Sequence, residues 1–138
     1  MYDNILVTLD GTATDRAIIE HVKKLALIMH SRLVLLHVVT SAVAQWRGAD
    51  AGGKDVEKGR AYVTSVADEM QTAGISAQPE LAFGDPVKEI VKWIDENGCD
   101  LVAMSTHGHG FMADIILGTT ASRVQHSTSV PVLLLRAK

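Results

Sequence analysis

The order of elements in this 138-residue chain predicts an α/β fold: a single doubly wound domain, with a five-stranded parallel sheet and helices on both faces. Three observations predict it. Five aliphatic runs are nearly continuous rather than alternating, which is how a strand reads when both its faces are covered. Helical stripes separate those runs, and right-handed crossovers turn such an alternation into one parallel sheet. The composition, 47% hydrophobic and 21% charged, supplies a core for a chain of single-domain length and lacks the bias of a disordered segment.

The first strand is expected from Asn4 to Leu9. Ile18, Val22, Leu25 and Met29 then recur at spacings of four, three and four, forming one face of a helix that Thr12 or Thr14 caps. A second strand spans Arg32 to Thr40. Ser41 to Gly59 holds Gly48, Gly52, Gly53 and Gly59 and reads as a long mobile loop, a lid or a loose connection. Val56, Val63, Val66, Ala67 and Met70 line a second helix that stops before Gly74, a residue suited to the left-handed position after a helix. A third strand spans Ile75 to Phe83. Asp85 and Pro86 open the third helix as cap and first-turn proline, Val87, Ile90, Val91 and Ile94 face inward, and Gly98 closes it. Trp93 falls opposite that stripe, as an interface or surface aromatic. The fourth strand covers Asp100 to Ser105. A last helix runs from near Thr119 toward His126 with Ala121 and Val124 inward, and the fifth strand covers Val130 to Arg136.

Pro79 lies within the third strand. A residue without an amide hydrogen belongs at a sheet edge, and the order 3-2-1-4-5 puts it there. Strands one and four then meet at a topological switch point, where a crevice opens at their carboxyl ends. Function is expected after Leu9 and after Ser105.

Charge excludes several classes. Thirteen basic residues against sixteen acidic ones give −3, and no basic stripe exists to neutralise a nucleic acid backbone. The longest apolar runs, such as Ile5 to Val7 and Val132 to Leu135, are far below a bilayer's thickness, and no cleavable leader is evident, so a cytoplasmic protein without a membrane span is expected. The single cysteine, Cys99, forms no internal disulfide and is expected to pack at the start of strand four, where Asp100 raises its pKa. Among six histidines, His107 and His109 lie closest, but no third ligand joins them at a diagnostic interval, so no metal site is assigned. His37 is expected to be partly buried and hydrogen bonded.

The segment after strand four carries the chemistry. Gly108 and Gly110 precede a short apolar stretch, then Gly118, Thr119 and Thr120 open a helix. Glycines let backbone amides approach an anion, a helix start supplies unpaired amides, and the two hydroxyls add donors, so the segment reads as a phosphate cradle. No GxxxxGK[ST] occurs. Gly108, Gly110 and Ala113 match part of a dinucleotide fingerprint, but they lie outside a first βα turn and lack the acidic residue it requires. Asp10, at the end of strand one, faces the same crevice and suits ribose hydroxyls or a base amine; as Asp-Gly with Gly11 it also suits a simple turn.

Together these residues resemble the universal stress protein family. The similarity runs from Ile5-Leu6-Val7-Thr8-Leu9-Asp10-Gly11-Thr12 through Leu36-His37-Val38-Val39 to Pro131-Val132-Leu133. Its most specific part is the pattern G-2x-G-9x-G-[S/T] of ATP-binding members, matched by Gly108, Gly118 and Thr119. The resemblance implies the 3-2-1-4-5 sheet, binding of ATP, ADP or AMP with Mg or Mn, and a homodimer through strand five, Val130 to Arg136. It implies that Asp10 meets the adenosine, the backbone at Val38 the adenine, and Gly108, Gly118, Thr119 and Thr120 the phosphates, with Met104 lining the pocket. Two positions depart: Ser105 replaces the pattern's first glycine, and Thr8 stands where a proline is usual. Both remain in the expected site, where the Ser105 hydroxyl or backbone reaches the ribose.

No nucleophile triad or general base is evident and no catalytic residue is assigned. The expected function is a dimeric, nucleotide-dependent regulator of the stress response. The alternative is a slow ATP-hydrolysing enzyme at the same site, with Asp10, His107 or His109 orienting water.

Overall fold

The computed structural model describes residues 1–40, 53–106 and 119–136. Nine elements alternate along them: β1 (Asn4–Leu9), α1 (Asp15–Met29), β2 (Arg32–Val39), α2 (Lys54–Thr72), β3 (Ala77–Phe83), α3 (Pro86–Asn97), β4 (Leu101–Thr106), α4 (Thr119–Ser127) and β5 (Val132–Arg136). The sheet is parallel throughout, in the order β3-β2-β1-β4-β5. Ile5 of β1 pairs with Leu33 on one side and Leu101 on the other, so β1 and β4 are neighbours at the switch point. Pro79 sits on the edge strand β3 opposite Leu35, where its missing amide hydrogen costs no ladder bond.

Continuous hydrophobicity along the strands has the expected cause. Ile5, Val7, Leu9, Leu33, Leu35 and Ala103 pack under α1 and α2, against Ile18, Val22, Val66 and Met70. The alternate residues Leu6, Leu36, Val102 and Met104 pack under α3 and α4, against Val87, Ile90, Ile94, Ala121 and Val124. Every inner strand is thus buried twice. Burying each such aliphatic side chain contributes roughly 1.5–3 kcal/mol before entropy is counted.

Local signals set the ends of the elements. At α3 the Asp85 side chain accepts the Lys88 amide at 2.9 Å, Pro86 occupies the first turn, and Gly98 follows with φ 78°. Gly74 follows α2 at φ 87°. The Asp100 carboxylate accepts the amides of Asp3 at 2.7 Å and Asn4 at 2.9 Å, stitching the start of β1 to that of β4. Cys99 packs beside β4 as expected, and burial, more than the neighbouring Asp100, pushes its thiol pKa up.

Several expectations need correction. β3 begins at Ala77 rather than Ile75, β4 covers Leu101–Thr106, and β5 starts only after Pro131. Thr14 stands at the N-cap of α1, yet its backbone is already helical and it makes no capping bond there. Its hydroxyl turns instead to Thr12, 2.6 Å away, and to Asp10, 3.3 Å away. Trp93 is half-buried against the α3–α4 core rather than displayed on the far face. The stretch read as a loop from 41 to 59 ends earlier, because α2 begins at Lys54; residues 41–52 lie outside the described residues.

Gly59 shows why the loop reading overreached. It is buried inside α2, and a Cβ there would lie 3.1 Å from the His37 ring and 3.3 Å from Leu81 and Val39. The glycine is present for close approach of α2 to β2, accepting a helix penalty of about 1 kcal/mol. Gly59→Val is expected to destabilise the fold by about 1–3 kcal/mol through overpacking against β2, as read from urea unfolding midpoints.

Candidate functional site

A cleft of about 770 Å³ opens at the carboxyl ends of β1, β2 and β4. Among the expected site residues it is lined by Thr8, Asp10, Val38, Met104, Ser105 and Thr120. Five of these come from the ends of three strands, and Thr120 from the first turn of α4, so the switch point gathers residues that lie up to 112 positions apart. Thr119 opens α4, as the sequence predicts. Gly108, Gly118, His107 and His109 lie outside the described residues. The Oγ of Ser105 is buried and has no hydrogen-bond partner among the described residues, an arrangement that leaves a donor ready for a ligand.

Asp10 is both the turn former and the cleft residue. Its Oδ1 accepts the Thr12 amide at 3.0 Å and the Thr12 hydroxyl at 2.7 Å, and its Oδ2 accepts the Thr14 hydroxyl at 3.3 Å. Partial burial pushes its pKa up, but these hydrogen bonds outweigh it and hold the carboxyl below the usual aspartate range. It is therefore ionised across the neutral range. Gly11 follows at φ 85°, and its missing Cβ would stand 3.2 Å from the His37 ring. His37 itself meets expectation: half-buried, it donates from Nδ1 to the Leu9 carbonyl at 3.0 Å.

Two residues that sequence reasoning passed over organise this turn. Asp15, in the first turn of α1, is only 1% exposed. Its Oδ1 accepts the Asp10 amide at 3.1 Å, and its Oδ2 accepts the Gly11 amide at 2.9 Å and the Tyr62 hydroxyl at 2.5 Å. Tyr62 of α2 also stands edge-on to His37, with ring centroids 6.2 Å apart. An acidic residue in a first helical turn usually serves the helix dipole from the surface, which is why Asp15 gives no sequence signal of its own. Tyr62 lies one position before Val63 of the α2 stripe, and its spacing alone does not tell a core-facing aromatic from a surface one.

Burial raises the Asp15 pKa to about 6, and the negative charge of Asp10 adds to the rise, against hydrogen bonds from Tyr62, Asp10 and Gly11 that favour the anion. The Tyr62 hydroxyl is raised in turn, by burial and by its bond to Asp15. Among the described residues, no group of three metal-ligating side chains converges, and no helix is long and apolar enough to cross a membrane.

The sequence profile of the universal stress protein family matches residues 1–136. The chain belongs to the universal stress protein family. It is similar to universal stress protein MJ0577 of Methanocaldococcus jannaschii, at 25% identity over an alignment covering 100% of this chain and 97% of that protein. The solved structure of MJ0577 superposes with a TM-score of 0.85 at 26% identity, covering 100% of this chain and 98% of that one. A universal stress protein solved in complex with cAMP superposes at 0.79 with 20% identity, covering 99% of both chains. A universal stress protein from Archaeoglobus fulgidus solved in complex with dAMP superposes at 0.72 with 14% identity, covering 96% of this chain and 97% of that one. At such identities the last two attest the fold alone.

The raised pKa of Asp15 has a stability consequence of definite sign. A carboxyl that binds its proton more tightly in the fold contributes stability below its unfolded pKa, near 4, and that contribution is lost as pH rises through about 6. Between those values the wild type is expected to lose stability relative to Asp15→Asn as pH is raised, by on the order of 3 kcal/mol in total. Denaturant unfolding of both proteins at a series of pH values measures the difference; a flat or rising difference would refute the assignment.

Proposed function

We propose that this universal stress protein is a one-domain regulator that binds an adenine nucleotide, ATP with ADP or AMP as lesser forms, in the cleft between β1 and β4. The observation that carries this reading is the convergence in one cleft of the turn-held Asp10 carboxylate, the unpartnered Ser105 hydroxyl and the first turn of α4. The carboxylate suits ribose hydroxyls. The α4 start suits phosphates, since its first turn carries no acidic residue to offset the positive end of the helix. Thr120 adds a hydroxyl, and the matched Gly108, Gly118 and Thr119 add the family's phosphate pattern. The apolar walls formed by Val38 and Met104, beside Thr8, suit a flat base. The cAMP and dAMP bound by structural neighbours support an adenine ligand.

A Mg or Mn ion would take its ligands chiefly from phosphate oxygens, as these cations do beside triphosphates. Ser105 fits this scheme as a donor to the ribose or α-phosphate, and its Cβ sets how closely the backbone approaches. For partners we propose a homodimer through the edge strand β5, where Leu134 is 37% exposed beside a strand that pairs only with β4 among the described residues.

The reading is tested by purifying the protein gently, identifying any nucleotide it retains by mass spectrometry, and following phosphate release from ATP over hours. Retained, intact ATP fits the regulator; steady release abolished by Asp10→Ala or His107→Ala while ATP binding survives would establish the hydrolase instead. Asp10→Ala is expected to weaken ATP binding by about tenfold or more in calorimetry, since a charged hydrogen-bond partner is lost. An unchanged affinity would remove Asp10 from the site.

A further inference from the structure

We propose that Asp15 is the positioning residue of this site: its buried carboxylate clamps the Asp10–Gly11 turn to Tyr62 of α2, and the cleft takes its ligand best while that carboxylate is charged. The inference rests on the nucleotide reading above and names what controls it.

The geometry is that of a clamp. Two backbone amides arrive from the turn that presents Asp10 to the cleft, and a phenol arrives from α2, at 3.1, 2.9 and 2.5 Å. All three donors point at one side chain that solvent does not reach. Among the described residues no cation pairs with it. A buried carboxylate without a cation is a costly way to hold a turn, which a neutral side chain could hold more cheaply. Structures keep such groups where the charge serves a site.

Charge matters here because of donor and acceptor arithmetic. The ionised carboxylate accepts all three incoming hydrogens. Protonating Oδ1 makes an O–H compete with the Asp10 amide, and protonating Oδ2 makes one compete with the Gly11 amide or forces the Tyr62 hydroxyl to turn round and accept, so the three-donor clamp is weakened. The turn then slackens at the residue whose carboxylate faces the ligand. Tyr62 lines the same cleft and stands against His37, so the loss is felt on α2 and β2 as well.

The charged and titratable groups around the clamp come from each packed element. Asp10 faces it from the end of β1, Arg16 adjoins it on α1, His37 stands behind Tyr62 on β2, and Asp55 and Lys58 of α2 line the cleft. Burial and the charge of Asp10 bring the Asp15 pKa to about 6. If binding requires the anion, affinity one unit below that pKa falls by about tenfold, because only about a tenth of the protein is competent. The Tyr62 bond stabilises the anion. Removing it must therefore move the midpoint upward, an effect that a purely structural contact would not produce.

The test is calorimetric titration of full-length wild type, Asp15→Asn and Tyr62→Phe with ATP between about pH 5 and pH 8, each protein first shown folded by circular dichroism. The wild type is expected to weaken by about tenfold across a step near pH 6. Asp15→Asn is expected to bind weakly without that step, and Tyr62→Phe to show the step at higher pH. Titration of His37 or of the ATP phosphates would leave the step intact in Asp15→Asn, which overturns the inference, as does a Tyr62→Phe midpoint that stays or falls. If Asp15→Asn does not fold, the Tyr62→Phe midpoint decides alone. Wild type that binds ATP with no step sinks the inference and leaves the nucleotide reading standing; wild type that binds no ATP at any pH sinks both.

Discussion

A parallel strand buried on both faces meets solvent only at its ends, and that constraint shapes everything else in this molecule. Val7 and Ala103 are packed under α1 and α2, while Leu6 and Val102 are packed under α3 and α4. No side chain along the middle of β1 or β4 is free for chemistry. The helices leave the sheet in opposite directions where β1 adjoins β4, and the gap between them becomes the cleft. Chemistry is pushed to the last residues of the strands and the turns that follow, which is where Thr8, Asp10, Ser105 and Thr120 stand.

Within that frame a second economy operates. The Asp10 turn must be rigid to present a carboxylate, and the rigidity comes from a hidden acid rather than from packing. Thr12 and Thr14 hold the Asp10 side chain, and Asp15 holds its backbone. The diversion of the Thr14 hydroxyl toward Asp10 explains why α1 starts without a side-chain cap, a loss of about 1 kcal/mol taken at the helix for order at the turn. The charge on Asp15 costs stability at neutral pH, so the same turn carries both the uncapped helix start and a buried carboxylate.

The α1–α2 layer is tied to this turn from both sides. Arg16 and Lys23 of α1 reach Glu69 of α2 at 2.8 and 2.7 Å, a partly exposed pair of bridges worth little individually. Tyr62, two helical turns earlier on α2, reaches Asp15. Gly59 lets the same helix settle against His37. A ligand that meets Asp10 is thus in contact, through two hydrogen bonds, with the helix that follows residues 41–52.

The sequence by itself determined the fold, its strand order and the location of the cleft, because those follow from short-range signals. Continuous apolar runs, helical spacing, Pro79 at an edge and the Asp85-Pro86 start of α3 each act over a few residues and agree with one another. It also placed Asp10 and Ser105 at the cleft, since their positions follow from strand ends, and Thr120, since it opens the helix after Gly118. What it left undecided depends on distance in space. Gly59 reads as a loop residue until the His37 ring of β2 is seen 3.1 Å from where its Cβ would stand, and Trp93 reads as exposed until the core under α3 and α4 is assembled. Asp15 reads as an ordinary first-turn acid, and Tyr62, 47 residues on, as a helix-face aromatic. Only the tertiary structure seals Asp15 from water beside the half-buried Tyr62 and turns a common surface carboxylate into a buried one with an altered proton affinity, because desolvation is a property of the surroundings and not of the residue.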